Sequence, residues 1–219
     1  MKKIYGTLFL TAILLLILAG CSRNHFQGEI VSSYAPVGYI WMRGSIDDLA
    51  YGATHIVRAE VLDNRTELIN TLLSDRELRE DEEESVILPH TVHRLRVLEV
   101  FMGDVVIGDI IEIAQRGGRV GNRELINDRK IQLVYGYELV FFLHCVETHG
   151  FRPMPMMLES SSQAVYHVAS QDADSTVVLE SFTLGNNLVL TVGDLERIAE
   201  EFGGGGPTPT PLPPSTEMP

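Results

Sequence analysis

Side chains that can bind a metal ion lie together in the short segment "HCVETH", residues 144–149. His144, Cys145 and His149 offer imidazole and thiolate groups, which zinc prefers as ligands. The sequence contains no second group of such residues at a recognised ligand spacing. A catalytic Cys145 would need an electropositive environment that lowers the pKa of its thiol, and His144 is the only neighbour that could contribute one. We therefore interpret Cys145 as a core thiol. The alternative is a metal-binding protein or metal-dependent enzyme that uses His144, Cys145 and His149.

Three further patterns resemble ligand-binding sites, but each lacks a necessary feature. His90 and His93 follow Pro89 in a segment with strand character, and residues three apart on a strand point to opposite faces, which makes them a poor metal pair. The acidic run "REDEEES" has neither the alternating oxygen ligands nor the glycine of a calcium loop. The glycines of "QRGGRVGN" are not followed by the Lys-Ser/Thr of a phosphate-binding loop. The sequence therefore predicts no catalytic residue, no cofactor and no enzymatic activity.

The amino terminus has the parts of a secretory signal. Lys2 and Lys3 precede an uncharged apolar run that extends to Ala19. This run is shorter than the roughly 20 residues that cross a bilayer as a helix, whereas it suits the hydrophobic region of a signal peptide. We expect residues 1–20 to be removed, which leaves Cys21 as the first residue of the mature chain.

The tetrapeptide Leu18-Ala19-Gly20-Cys21 resembles the lipobox of bacterial lipoprotein precursors. The resemblance implies that a diacylglycerol is attached to the sulfur of Cys21 and that the chain is cut just before it. Two or three acyl chains hold a protein to a bilayer far more firmly than one. We therefore expect an exported protein, anchored by lipid to the bacterial cell membrane, with its domain on the extracytoplasmic side. Cys145 would then have no partner for an intrachain disulfide.

The charge of the chain argues against one class of partner. The formal net charge is −13, and it becomes −15 when Lys2 and Lys3 leave with the signal peptide. A nucleic-acid-binding protein carries a basic stripe, and we find none in the sequence. The same acidity predicts repulsion between the protein surface and anionic lipid head groups, so attachment would depend on the lipid at Cys21.

The mature chain divides into a tether, one domain and a tail. Residues 21–44 show no sustained periodicity and are predicted to form the tether, and the domain covers residues 45–202. Within the domain, residues 64–89 form an acidic insertion that we expect to be partly helical through Leu68, Ile69, Leu72 and Leu73. Residues 203–219 are rich in glycine and proline and are predicted to be a disordered tail.

Two short helices are predicted at the ends of the domain. Ser45 and Thr191 are each followed by an aspartate three residues later, which is the spacing of a capping box. After Thr191 one face of the helix would carry an apolar stripe, formed by Leu195, Ile198, Ala199 and Phe202.

The segments between the helices favour strands. In "HIVRAEV", Val57, Ala59 and Val61 alternate with charged residues, as in a half-buried strand. The apolar pattern of "HTVHRLRVLEVF" changes parity, which predicts a β-bulge near Leu98 or Glu99. Short strands separated by glycine-rich turns favour a barrel or sandwich.

The order of these patterns is similar to that in a group of bacterial exported proteins with a small five-stranded barrel. The arrangement of strands in that group resembles the OB-like barrel of netrin modules and tissue inhibitors of metalloproteinases. The match covers roughly residues 45–145. We therefore expect a mainly β fold, a small five- to six-stranded OB-like barrel with two short flanking helices. The matching positions are Val57, Val61, Val97, Val100, Gly103-Asp104, Gly108-Asp109, Ile111, Gly136-Tyr137-Glu138-Leu139 and Phe141-Leu143.

The zinc-chelating mechanism of the inhibitor family does not transfer to this chain. That family uses an amino-terminal Cys-x-Cys motif, whose first cysteine binds the metal of the protease. Here the corresponding residues are Cys21-Ser22-Arg23, so the second cysteine is missing and the first is predicted to carry lipid. A shared fold by itself says little about function.

These observations predict a protein that binds rather than catalyses. We expect a lipid-anchored extracytoplasmic protein that presents its barrel to an unknown envelope or extracellular partner. Such barrels contact partners through one face and several loops, and the candidate loops are residues 64–89, 115–124 and 150–162. The last contains the methionine-rich stretch "RPMPMMLESSS", a composition that suits adaptable partners or soft metals.

Overall fold

The computed structural model describes residues 30–34, 42–71, 86–145, 154–160, 162–171, 177–181 and 186–202. The predictions for the signal peptide, Cys21, Leu72, Leu73, His149 and the carboxy-terminal tail concern residues outside these ranges, and they stay predictions. None of the helices in the described ranges is long and apolar enough to cross a membrane.

The described ranges contain two helices and a larger number of strands. In chain order they are β1 (Val31–Tyr34), α1 (Ile46–Gly52), β2 (His55–Asn70), β3 (Ile87–Met102), β4 (Ile110–Arg116), β5 (Gly118–Val120), β6 (Arg123–Ile126), β7 (Glu138–His144), β8 (Met156–Leu158), β9 (Val165–Gln171), β10 (Val177–Ser181), β11 (Leu190–Thr191) and α2 (Val192–Phe202).

Five of the strands close into a ring. The larger sheet has the order β11-β10-β9-β7-β2-β3-β4-β8, and β8 also pairs with β7, so that β2, β3, β4, β8 and β7 surround one interior. The β4–β8 contact is parallel and the other contacts in the ring are antiparallel. A separate sheet has the order β1-β6-β5. The predicted mainly β fold, a small barrel with two short helices, is confirmed.

Two hydrophobic cores lie on opposite sides of the ring strands. In β2, Val57, Ala59 and Val61 point into the barrel, as their alternation predicts, while Ile56 points outward beneath the helices. A strand that is buried on both faces gains from apolar residues at consecutive positions, and β7 alternates between the two cores in the same way. The helices cover the outer core with Leu49, Leu195 and Ile198.

Both helices begin at the predicted capping residues. Ser45 Oγ accepts a hydrogen bond from Asp48 N at 3.1 Å. At α2 the exchange is reciprocal, since Asp194 N donates to Thr191 Oγ1 at 3.1 Å and Asp194 Oδ2 accepts from Thr191 N at 3.0 Å. These bonds satisfy amide groups that the first turn of a helix leaves free. The apolar stripe of α2 is shorter than predicted, because Phe202 is exposed.

β3 contains the predicted bulge. Arg58 lies opposite Glu99 and the next residue, Ala59, lies opposite Val97, so Leu98 has no counterpart on β2. An extra residue of this kind bends a strand and increases its twist. The bend lets β3 pair with β2 along its length and with β4 over residues 90–96.

The region predicted to be a partly helical insertion is strand at both of its ends. Leu68 lies opposite Pro89 and Ile69 opposite Leu88, because β2 and β3 stay paired to their far ends. The helical prediction for Leu68 and Ile69 is therefore wrong. Cross-strand pairing and the packing of Ile69 against Val92 outweigh the local spacing of apolar residues that favoured a helix.

β1 lies within the predicted tether. It pairs in parallel with β6, with Val31 opposite Arg123 and Tyr34 opposite Ile126. All residues of β1 are exposed, so hydrogen bonds rather than burial hold this strand. The chain between Cys21 and its first contact with the domain is therefore shorter than residues 21–44.

Gly103, in the turn after β3, has no room for a side chain. Its φ angle is +109°, and a Cβ would lie 2.3 Å from His55 Cδ2. We expect Gly103→Ala to lower the free energy of unfolding by about 2–4 kcal/mol, through backbone strain together with overpacking. The matched control is Gly108→Ala, because Gly108 has a φ of +95° and no described atom within 4 Å of the added position. Urea unfolding should give a clearly smaller loss for Gly108→Ala. Equal losses would show that the His55 contact is unimportant.

Candidate functional site

The predicted metal-ligand segment begins at the end of β7. His144 is exposed, and its Nδ1 lies 3.4 Å from Gly52 O and 3.8 Å from Glu159 Oε2. Cys145 is a half-buried free thiol. His149 lies outside the described residues, and the described part of the chain contains no group of three His, Cys, Asp or Glu side chains that could hold a metal ion. The metal-dependent alternative therefore stays a prediction.

Three side chains that are linked in series by hydrogen bonds lie beside this segment. Thr54 Oγ1 is 2.9 Å from His55 Nδ1, and His55 Nε2 is 2.8 Å from Asp104 Oδ1. A hydroxyl, an imidazole and a carboxylate in this order resemble a hydrolytic triad. However, Thr54 Oγ1 accepts from Cys145 N at 2.7 Å and donates to Leu143 O at 3.3 Å. The Asp104 side chain is also 96% exposed, whereas a triad carboxylate is buried.

We assign the hydrogen-bonded series Thr54–His55–Asp104 a structural role. It joins the start of β2 to the turn after β3 and to the end of β7, which are distant in sequence. The hydrogen bond from His55 holds the pKa of the Asp104 carboxyl below its usual value. Gly103 leaves the space that the His55 ring occupies.

His90 and His93 lie on opposite faces of β3, as their spacing requires. His90 Nδ1 donates to Leu88 O at 2.8 Å, and its Nε2 is buried without a hydrogen-bond partner among the described residues. His93 points into the barrel, where it contacts Gln115. Burial lowers the pKa of both imidazoles, and that of His93 falls to about 4. Both rings are therefore neutral at pH 7.

Thr91, His93, Gln115 and Lys130 form an inner polar cluster at one end of the barrel. Gln115 Oε1 accepts from Ile131 N at 2.9 Å and Gln115 Nε2 donates to Ile131 O at 3.2 Å, which fixes the orientation of the amide. The same Nε2 lies 3.2 Å from His93 Nε2, so this ring nitrogen is the acceptor and the proton of the neutral ring is on Nδ1. His93 Nδ1 is buried and has no partner among the described residues.

Lys130 completes the inner polar cluster. Its Nζ donates to Thr91 Oγ1 at 3.2 Å, and the Thr91 hydroxyl donates to Gly117 O at 2.7 Å. After burial, the positive charge of Lys130 is the second cause of the low pKa of His93. Because the free lone pair of His93 is taken by Gln115, the cluster offers hydrogen-bond donors rather than metal ligands.

The loops predicted to contact a partner meet at one end of the barrel, which we call the loop end. Arg123 Nη2 donates to Ile87 O at 2.7 Å. Gly118 lies so close to β2 that an added Cβ would be 2.5 Å from Thr66 Cγ2. Residues 115–124 therefore contact both strands of the β2–β3 hairpin.

Residues 150–162, the last of the three predicted loops, reach the same end of the barrel through a small apolar cluster. Ile69 of β2, Val92 of β3 and Ala114 of β4 are buried together, and Met154 packs against them. Met157 continues the contact, since it lies opposite Ala114 in the parallel β4–β8 pair. Residues of all three predicted loops thus contact this end of the barrel, although Glu159, near the end of the third loop, lies beside Gly52 of α1.

Ion pairs cover the outer face of β2, β3 and β4. Arg65 donates to both carboxylate oxygens of Glu112, at 2.6 and 2.9 Å, and these bonds hold the pKa of Glu112 below its usual value. Closer to the bulge, Asp63 pairs with Arg94 and Glu60 with Arg96. This face is therefore highly charged, and each of its three arginines is paired with a carboxylate.

Sequence reasoning missed most of the inner polar cluster. Thr91 and Gln115 occupy inward positions of β3 and β4, in phase with Leu95 and Ile113 of the barrel core. A polar residue in the apolar phase of a strand is a signal that alternation alone could have given. Lys130 lies on a turn, and nothing in the sequence places it beside β3.

Comparison with known proteins identifies no relative. A scan against protein-family models, a search of curated proteins and a search of solved structures each give no match to this chain.

Proposed function

We propose that this chain is a lipid-anchored extracytoplasmic protein that binds an envelope or extracellular partner through the loop end of its barrel. The observation that carries the proposal is the meeting of three segments, distant in sequence, at that end. Arg123 contacts the backbone of Ile87, and Met154 packs against the cluster that contains Ile69. A rigid barrel that gathers loops at one end provides a defined surface for recognition.

The β2–β3 hairpin enlarges this surface. β7 pairs with β2 only from His55 to Glu60, whereas the pairing of β2 with β3 continues to Asn70 and Ile87. The ten residues 61–70 therefore extend roughly 33 Å beyond the last β7 contact, at 3.3 Å per residue. Leu68 is an exposed apolar side chain on this extension, and such side chains are common anchors for a partner.

The polar groups of the described barrel favour binding over catalysis. The Thr54 hydroxyl is held by backbone groups of β7 and of Cys145, so it is not free to act as a nucleophile. Gln115 is fixed by two bonds to Ile131, and Thr91 by Lys130 and Gly117. Groups that are locked into the fold in this way stabilise it, and they leave recognition to the outer surface.

Replacing Cys21 with serine tests the proposed anchor. We expect Cys21→Ser to abolish labelling by a fatty-acid analogue, because serine has no sulfur for the thioether bond, and to release the protein from membranes or block its processing. The readouts are metabolic labelling and the distribution between membrane and soluble fractions. Cys145→Ser is the matched control and should keep both labelling and membrane attachment. A Cys21→Ser protein that is correctly cut and stays in the membrane fraction would refute the anchor.

A further inference from the structure

Apart from Arg123, whose Nη2 donates to Ile87 O, the lysine and arginine side chains of the described residues fall into two groups. One group consists of arginines that form ion pairs with carboxylates, namely Arg43, Arg58, Arg65, Arg94, Arg96 and Arg197. The other group lies in residues 116–130 and forms no ion pair with a described carboxylate. Its members are Arg116, Arg119, Arg129 and Lys130.

The second group gives one surface a charge opposite to that of the chain. Residues 116–130 hold five cationic and two anionic side chains, a formal charge of +3, whereas the whole chain has −13. Of the two acids, Glu124 accepts a hydrogen bond from Ser32 Oγ at 2.7 Å, and Asp128 lies in the turn after β6. The net charge predicts repulsion from anionic head groups, but local charge decides the interaction at short range.

The position of β1 brings this surface close to the proposed anchor. Val31 N donates to Asn122 O at 2.8 Å, which fixes the entry of the chain at the turn between β5 and β6. From Cys21 to Val31 there are ten residue steps, which reach at most about 35 Å when fully extended. A lipid on Cys21 therefore keeps the β1-β6-β5 sheet near the bilayer surface.

The strand nearest to the anchor also exposes apolar and aromatic side chains. Ile30, Val31 and Tyr34 are all exposed, although β1 contributes nothing to the described cores. Tyrosine is enriched at membrane interfaces, where its ring lies at the level of the head groups and its hydroxyl stays hydrated. Contact with lipid would remove these apolar and aromatic side chains from water.

We propose that the β1-β6-β5 sheet and the turn after β6, here called the basic sheet, form a membrane-facing surface that contacts anionic phospholipid head groups. Arg119 and Arg129, together with Arg116 at the adjoining end of β4, supply the exposed charge, and the exposed side chains of β1 lie at the interface. This inference rests on the proposed lipid anchor, and it assigns the membrane as the partner of residues 115–124. The β2–β3 hairpin and Met154 are left to contact a second partner.

The test uses the lipidated protein in vesicles of phosphatidylcholine with and without phosphatidylglycerol. Flotation measures attachment by the anchor. Orientation is measured by quenching with head-group nitroxide lipids, using a fluorophore at Asn122→Cys in the basic sheet or at Tyr51→Cys on α1, each in a Cys145→Ser background. Flotation should be equal in both vesicles. Quenching should be stronger at position 122 than at position 51, and the difference should increase when phosphatidylglycerol is present.

Two triple variants distinguish the effect of the basic sheet on quenching from the effect of a change in net charge. Neutralising three members of the unpaired group, Arg116→Gln, Arg119→Gln and Arg129→Gln, should reduce quenching at position 122 to its level in vesicles without phosphatidylglycerol, because each such charge contributes about fivefold to binding at an anionic surface. Neutralising an ion-paired set, Arg65→Gln, Arg94→Gln and Arg96→Gln, changes the net charge equally and should leave the difference intact.

Each failure has a separate meaning. A quenching difference that phosphatidylglycerol does not increase, or equal effects of the two triple variants, would overturn the basic sheet as a surface that contacts anionic lipid while leaving the anchor intact. Loss of flotation from both vesicles would instead refute the anchor. Competition by short duplex DNA at the same phosphate concentration would overturn the lipid assignment in favour of a general polyanion site.

Discussion

Replacing Arg58 with leucine is expected to lower the free energy of unfolding by about 3–5 kcal/mol, because it leaves a buried carboxylate without its cation. Arg58 Nε donates to Glu99 Oε2 at 3.0 Å, and its Nη1 donates to Glu138 Oε2 at 2.9 Å. Glu99 is only 3% exposed. Its Oε1 already lacks a hydrogen-bond partner among the described residues, so nothing nearby replaces the lost interaction. Urea unfolding at pH 7 measures the change.

Two comparisons show whether the loss of stability comes from the buried charge of Glu99 or from the loss of an ion pair of any kind. Arg58→Leu combined with Glu99→Leu should recover most of the loss, because the double change also removes the buried charge. Arg65→Leu should cost less than about 1 kcal/mol, since the Arg65 side chain is 44% exposed and solvent screens such pairs. The bonds to Glu112 and Glu67 raise the pKa of Arg65, but exposure limits what they add to stability. A loss for Arg65→Leu as large as for Arg58→Leu would contradict this account.

Acidification from pH 6.5 to about 4 is expected to cost the wild-type protein about 3 kcal/mol of stability through His93. The pKa of this imidazole is lowered from 6.5 to about 4. Between these values the unfolded chain binds a proton that the folded chain does not, so stability falls as the pH falls. Each pKa unit corresponds to about 1.4 kcal/mol. His90 acts in the same direction, because burial lowers its pKa as well.

His93→Gln isolates this contribution. Glutamine does not titrate and offers an oxygen to the Gln115 amide, so the variant should lose less stability than the wild type between pH 6.5 and 4.5. Asp104 and Glu112 have lowered pKa values, and their stabilisation is lost only as the pH falls below the ordinary carboxyl pKa of about 4. The pH range in which these two carboxylates affect stability therefore lies below that of His93. Identical pH slopes for the wild type and His93→Gln above pH 4.5 would rule out His93 as the cause.

Local patterns predicted the parts of the fold that local physics determines. The alternation of Val57, Ala59 and Val61 is correct because strand geometry places every second residue on the same face. The bulge at Leu98 follows from a change of parity that no regular strand can accommodate. The capping residues Ser45 and Thr191 are correct because their bonds join residues three positions apart.

The remaining features depend on pairing between distant segments. Ile69 belongs to a strand because Leu88 and Val92 lie beside it, and nothing within residues 64–71 reveals those neighbours. The same limit applies to the candidate site, where Lys130 contacts Thr91 across 39 positions. The carboxylate partners of Arg58, Arg65, Arg94 and Arg96 likewise depend on which strands pair and in which register.

The most direct test of the central claim is photo-crosslinking in cells that produce the anchored full chain. A photo-reactive side chain at the position of Leu68 lies on the hairpin at the loop end, whereas one at the position of Tyr51, 82% exposed on α1, lies at the opposite end of β2. We predict a discrete, saturable adduct with one envelope component from position 68 and none from position 51. No adduct from position 68, or the same adducts from both positions, would contradict a protein that binds its partner through the loop end.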